Sequence, residues 1–98
     1  MTKLKEPDVL RERSTHSEST LFVCEIEGAE VFLAGDFNDW NPRSHRMTRK
    51  DGAFQKRLKL APGQYEYKFV VDGEWKTDPA ATEQRPNDFG SMNSVVRV

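Results

Sequence analysis

Apolar and polar positions alternate in short bursts along this chain, and turn-forming residues separate the bursts. Leu21–Ile26, Glu30–Ala34, Ala53–Leu60, Gln64–Val71 and Ser94–Val98 all carry strand chemistry between such boundaries. No longer stretch shows a helical repeat. In Gln64–Val71 the period of two places Tyr65, Tyr67, Phe69 and Val71 on one face and Gln64, Glu66, Lys68 and Val70 on the other. Phe54, Leu58 and Leu60 line up in the same way in the preceding strand.

The punctuation between these strands predicts their connections. Asp51-Gly52 and Asp72-Gly73 are two-residue hairpin signals, because both central positions of a type I′ turn need positive φ. Pro62-Gly63 predicts a further reversal of type II, with proline presetting φ and glycine taking the left-handed position. These turns string strands over roughly 44–50, 53–60, 64–71 and 74–77 into a meander. The apolar face of that sheet needs cover, which Leu21–Ile26, Val31–Leu33 and Val95–Val98 can supply. The expected fold is therefore all-β, an immunoglobulin-like antiparallel β-sandwich.

Apolar residues thin out toward the N-terminus, where the first twenty positions hold only Leu4, Val9 and Leu10 among Leu, Ile, Val and Phe. Residues 1–19, with mixed charges, one proline and a Ser/Thr cluster, read as a flexible arm with room for one helical turn around Asp8–Arg13. The folded module is expected over 20–98. At 98 residues the chain holds at most one domain, too small for a large catalytic core.

Charge narrows the partners. With 15 basic and 16 acidic side chains no global field draws the chain to nucleic acid or to an anionic membrane. A neutral partner is expected. The single cysteine, Cys24, cannot form an internal disulfide, which suits a reducing compartment. The polar run from Thr2 to Arg13 lacks the apolar stretch of a signal peptide, and no apolar run reaches the about 18 residues of a membrane span. The cytoplasm is the expected location.

Two loops hold residues that a sandwich core does not obviously need. Gly35-Asp36-Phe37-Asn38-Asp39-Trp40-Asn41-Pro42 packs an indole among turn formers, and Trp75 follows the Asp72-Gly73 hairpin signal. Neither tryptophan lies inside an apolar run. Both fit exposed aromatic platforms, and both also fit lids over the end of a small core.

Three stretches together resemble a known family. VFLAGDFNDWNP, LAPGQYEYKFVVDGEWKTDP and the terminal NDFGSMNSVVRV are similar, in order and spacing, to the starch- and glycogen-binding module of family 48. That module, also called the isoamylase N-terminal domain, occurs in branching and debranching enzymes and in the beta subunit of AMP-activated protein kinase. The resemblance covers about residues 20–98. It implies non-catalytic binding of α-1,4-glucan, glycogen or starch-like, with no cofactor, and a glycan-metabolising enzyme or a kinase as a further partner.

The resemblance also assigns roles. Trp40 and Trp75 match the two platform tryptophans, Lys68 the basic residue that hydrogen-bonds sugar hydroxyls, and Asn93 an amide that does the same. Phe89 stands where the kinase version has a leucine that enters the ring of a curved glucan, and Ser91 where it has a threonine. The bulkier, more rigid phenylalanine implies stacking or a blocked site in place of insertion. The chemistry is coherent, because a glucan offers apolar C–H faces to indoles and hydroxyls to polar side chains at the rim. The alternative, in a different functional class, is a protein-interaction or regulatory module of the same fold without strong sugar binding.

Enzymatic and metal readings fit less well. A glycosidase needs two carboxyls across a cleft, whereas Asp36 and Asp39 lie in a turn-rich loop where capping and Asx turns account for them. Asp36–Trp40 begins like a calcium loop but lacks its third oxygen ligand and following glycine. His16 lies in the arm, His45 in an expected surface hairpin, and no zinc spacing is present. Cys24 reads as a small core residue. Lys56, Arg57 and Lys59 form a local basic cluster without the interleaved aromatics of a nucleic-acid face.

Overall fold

The structure, a computed structural model, describes residues 19–98. The expected arm lies outside the described residues, apart from Ser19, which opens the first strand. The described residues form β1 (Ser19–Cys24), β2 (Val31–Gly35), β3 (Thr48–Lys50), β4 (Ala53–Lys59), β5 (Gln64–Val71), β6 (Glu74–Lys76), β7 (Gln84–Pro86) and β8 (Met92–Arg97). All pair antiparallel in two sheets: β1-β4-β3, and β2-β5-β8-β7 with β6 also on β5. The fold is a β-sandwich. No α-helix occurs among the described residues, as the missing helical repeat predicts.

The two-residue period of β5 organises the interior. Tyr67, Phe69 and Val71 turn inward and meet Phe22, Cys24, Val31, Leu33, Met47, Phe54 and Leu60 in one core. Aromatic edges lock it, with Phe22 and Tyr67 centroids 5.1 Å apart at 78°. Below this packing the Tyr67 hydroxyl donates to Asp78 at 2.6 Å, and Ser94 Oγ accepts from the Asp78 backbone at 2.9 Å. Burial, reinforced by that carboxylate, pushes the Tyr67 phenol well above its ordinary range.

The expected meander is corrected at its middle turn. Asp51-Gly52 and Asp72-Gly73 are hairpin turns, with φ of 55° and 85° in the first and 50° and 86° in the second. Pro62-Gly63 instead carries the chain from one sheet to the other, since β4 pairs with β1 and β3 while β5 pairs with β2, β6 and β8. Gly63 has φ 157°, not the about +80° of a type II turn. Its N–H and C=O exchange bonds of 3.1 and 2.8 Å with Val98. The physical reason is mutual burial: with β4 and β5 in opposite sheets, Phe54 on one and Tyr67 and Phe69 on the other share one core, whereas side by side all three would need a third cover.

The expected cover changes accordingly. Val31–Leu33 and Val95–Val96 lie in the same sheet as β5, and β1 with β4 supplies the opposing layer. The strand expected over 44–50 is regular only at Thr48–Lys50. Just before it the chain bonds β2 instead, through an isolated bridge of Phe32 with Arg46. The short edge strand β7, polar and ending in Pro86, carries none of the apolar alternation that would have announced it.

Candidate functional site

Because side chains of even number in β5 turn away from the core, the outer face of the five-stranded sheet receives Glu66, Lys68 and Val70. One edge of β5 pairs with β8 as far as Tyr67 and with β6 from Phe69 onward. Lys68 sits at this change of partner. Above it opens a concavity of about 820 Å³, which Trp40, Trp75, Phe89, Ser91 and Asn93 also border. All six residues singled out from the sequence thus meet at one place, although they come from four separate segments of the chain.

Trp75 reaches this face through register. It pairs with Val70, whose side chain points outward, so the indole lies beside Val70 and outside the core, 46% exposed. Trp40 arrives from the other side, at the end of a 3-10 turn over Asp36–Asn38 that follows β2. Asn38 ties this turn down by donating to the Leu33 carbonyl at 2.9 Å and accepting from the Gly35 N–H at 3.0 Å. Asp39 and Trp40 then take left-handed φ of 55° and 59°. The Trp40 N–H returns to the Gly35 carbonyl at 2.9 Å. The two indole centroids lie 6.5 Å apart at 34°.

The polar floor is a chain of hydrogen bonds. Lys68, only 7% exposed, donates to Ser91 Oγ at 2.7 Å. Asn93 donates to Glu66 Oε1 at 3.0 Å and accepts from Asn87 Nδ2 at 2.9 Å. These bonds fix the amide's orientation while leaving a second N–H and a second lone pair on Asn93, and further donors on the Lys68 ammonium. Asn87 Oδ1 also accepts from the backbone of Phe89 and of Ser91, closing a tight loop between β7 and β8. Phe89 projects from its tip, 92% exposed.

Sequence reasoning missed Glu66, Asn87, Asp88 and Pro86, and it gave Asp36 only a turn role. For Glu66 the signal was available, since the alternation of β5 puts it on the same face as Lys68. Asn87 carried no periodic signal. Asp36 accepts from the Trp40 indole Nε1 at 3.1 Å and from the Glu66 backbone N–H at 2.8 Å.

The groups set aside from the sequence lie elsewhere. Cys24 is free and fully buried, and burial pushes its thiol up. His45 does not sit in a hairpin turn: its backbone carbonyl bonds β2 at Leu33, and its ring lies 3.3 Å from Asn38 Nδ2. Strand alternation splits the basic cluster, pairing Lys56 with the core residue Phe22 and leaving Arg57 and Lys59 on the opposite face of β4. Among the described residues no group of three or more His, Cys, Asp or Glu is placed to hold a metal ion, and no helix is long and apolar enough to cross a membrane.

Residues 18–98 match the family described as the glycogen recognition site of AMP-activated protein kinase, a carbohydrate-binding module. Among similar proteins, the AMP-activated protein kinase subunit beta-1 of Sus scrofa is 34% identical over 87% of this chain and 67% of its own length. The beta-1 subunit of Rattus norvegicus is 33% identical over 93% of this chain and 33% of its length. The chloroplastic PTST homolog 2 of Arabidopsis thaliana is 47% identical over 52% of this chain, which is only 10% of that protein. A maltogenic amylase from S. marinus shares the fold, with a TM-score of 0.70 at 21% identity over 82% of this chain and 13% of the amylase.

Proposed function

The chain belongs to the glycogen-recognition family of AMP-activated protein kinase, and we propose that its concave face binds an α-1,4-glucan without cleaving it. The observation that carries this reading is the pair of indoles, Trp40 and Trp75, 6.5 Å apart on an open face above a fixed polar floor. Trp40 and Trp75 stack on the C–H faces of successive glucose rings, and Lys68 and Asn93 use their free hydrogen-bonding capacity on the hydroxyls. Phe89 meets the glucan from the tip of the loop over 87–91, and Ser91 holds the Lys68 ammonium in place.

The relatives named above suggest the setting. This module delivers an associated or covalently linked partner, a kinase or a glycan-metabolising enzyme, to the polysaccharide. The cytoplasm remains the proposed location from the lone cysteine, with the plastid as the second reading because two relatives, from Arabidopsis thaliana and Oryza sativa, are named chloroplastic.

Calorimetric titration with β-cyclodextrin and with maltoheptaose tests the reading. Saturable binding that is lost in Trp40→Ala and Trp75→Ala is the expected result. Absence of binding to either sugar by the folded protein overturns it in favour of an interaction module of the same fold.

A further inference from the structure

Asp36 does more than open a turn. Its two carboxylate oxygens hold two different elements, Oδ1 accepting from the Trp40 indole at 3.1 Å and Oδ2 from the Glu66 backbone N–H at 2.8 Å. That N–H lies on the edge of β5 just beyond the last β2 pair, Gly35 with Tyr67, where no strand partner remains. A single side chain therefore ties an indole at the mouth of the concavity to the strand that carries Lys68. Although its backbone N–H is bonded to the Gly35 carbonyl, Trp40 makes no other side-chain hydrogen bond among the described residues. It is only partly buried, and both it and Asp39 hold a left-handed backbone that side chains rarely adopt.

From this geometry we infer that Asp36 is a positioning residue that fixes the Trp40 indole in its stacking orientation before any ligand arrives. The inference rests on the glucan reading of the site and adds how one platform is preorganised. An aromatic ring left free in an exposed turn must be immobilised on binding, which weakens the complex. The chemistry singles out a carboxylate. Both partners are N–H donors, so an asparagine would turn its own NH₂ toward one of them.

The test compares the native protein with Asp36→Asn and Asp36→Glu. The Trp40 indole N–H signal is identified in the ¹H–¹⁵N spectrum from the Trp75→Phe variant, which leaves one indole, and Trp40 fluorescence anisotropy is read in the same background. In Asp36→Asn the indole signal should move and exchange faster with solvent, and the anisotropy should fall. Affinity for β-cyclodextrin should drop about fivefold to tenfold, the scale of immobilising one side chain on binding. Asp36→Glu should recover part of both. An unchanged indole signal in Asp36→Asn, or a released indole with undiminished affinity, overturns the inference. If the native protein binds no glucan, the glucan reading fails, and the indole signal and anisotropy alone decide whether Asp36 holds Trp40.

Discussion

Val70 and Trp75 are cross-strand partners in the β5–β6 ladder, and this pairing decides which side of the sheet the second indole occupies. Val70 has Phe69 and Val71 as neighbours in sequence, both facing the core, so its partner must face outward. The Asp72-Gly73 turn fixes that register, because a two-residue loop allows no slip. A one-residue shift would drive Trp75 toward the core and remove a wall of the concavity.

Tryptophan emission should therefore report on the site alone. In the free protein it should be red-shifted, as for indoles in contact with water, and β-cyclodextrin or maltoheptaose should shift it to the blue saturably. Glucose should do little, since one ring cannot span two platforms. Replacing either tryptophan by alanine should cost about 1–3 kcal/mol of affinity, the scale of an aromatic hot spot. A Trp75→Ala protein that melts far below the parent yet binds glucan normally would show that this indole serves the core.

The legibility of this fold from its sequence divides along physical lines. Short-range chemistry was readable: both Asp-Gly hairpins, the exact span of Gln64–Val71 and the outward face of Lys68 follow from turn preference and a period of two. The crossing at Pro62-Gly63 was not, because a proline-glycine pair serves a hairpin and a change of sheet equally, and the choice depends on which apolar faces cover each other. The site divides in the same way. Trp40 and Trp75 stood out as aromatics among turn residues, but the bonds of Asp36 and Asn93 to Glu66 are long-range contacts that only the folded chain brings together, and Asn87 acts through a local loop that no period marks.

Gly35 couples the site to the core. A Cβ there would lie 2.6 Å from the Glu66 carbonyl oxygen and 2.8 Å from the Phe37 ring. The carbonyl is strand backbone and cannot step aside, so Gly35→Ala should separate β2 from β5 at the base of the Trp40 turn. An overpacking cost of about 1–3 kcal/mol is expected in denaturant unfolding, together with weaker glucan binding. Native stability in that variant would mean that the turn adjusts freely, contrary to the close approach.

Tyr67 sets a limit at high pH. Burial raises its phenol pKa in the folded state, so the unfolded chain loses that proton first, near the ordinary value of about 10. The unfolded state then binds fewer protons than the folded one, and stability falls as pH rises above about 10. Each pH unit in that window should remove about 1.4 kcal/mol through this group. Tyr67→Phe should lower stability at neutral pH by about 1–3 kcal/mol, because it strips a donor from the buried Asp78. The same variant should flatten the alkaline slope by one proton. Parallel alkaline slopes in the two proteins, measured by urea unfolding, would refute the assignment.

Salt dependence separates a neutral glucan from a phosphate-bearing ligand. Asp36, Glu66, Asp88 and Lys68 border the concavity, so carboxylates outnumber the one ammonium there, and that ammonium is already bonded to Ser91. Such a face repels polyanions. Stacking on Trp40 and Trp75 and hydrogen bonding to hydroxyls release no counterions, so β-cyclodextrin affinity should change little between about 50 and 200 mM salt, a range over which several phosphate contacts would lose orders of magnitude. Alternation divides Lys56 from Arg57 and Lys59, so the local basic run does not present one continuous patch on β4. A tight ligand whose affinity fell steeply with salt, and fell again in Arg57→Ala and Lys59→Ala but not in Trp40→Ala, would move the functional surface to that strand and leave the concavity without its proposed role.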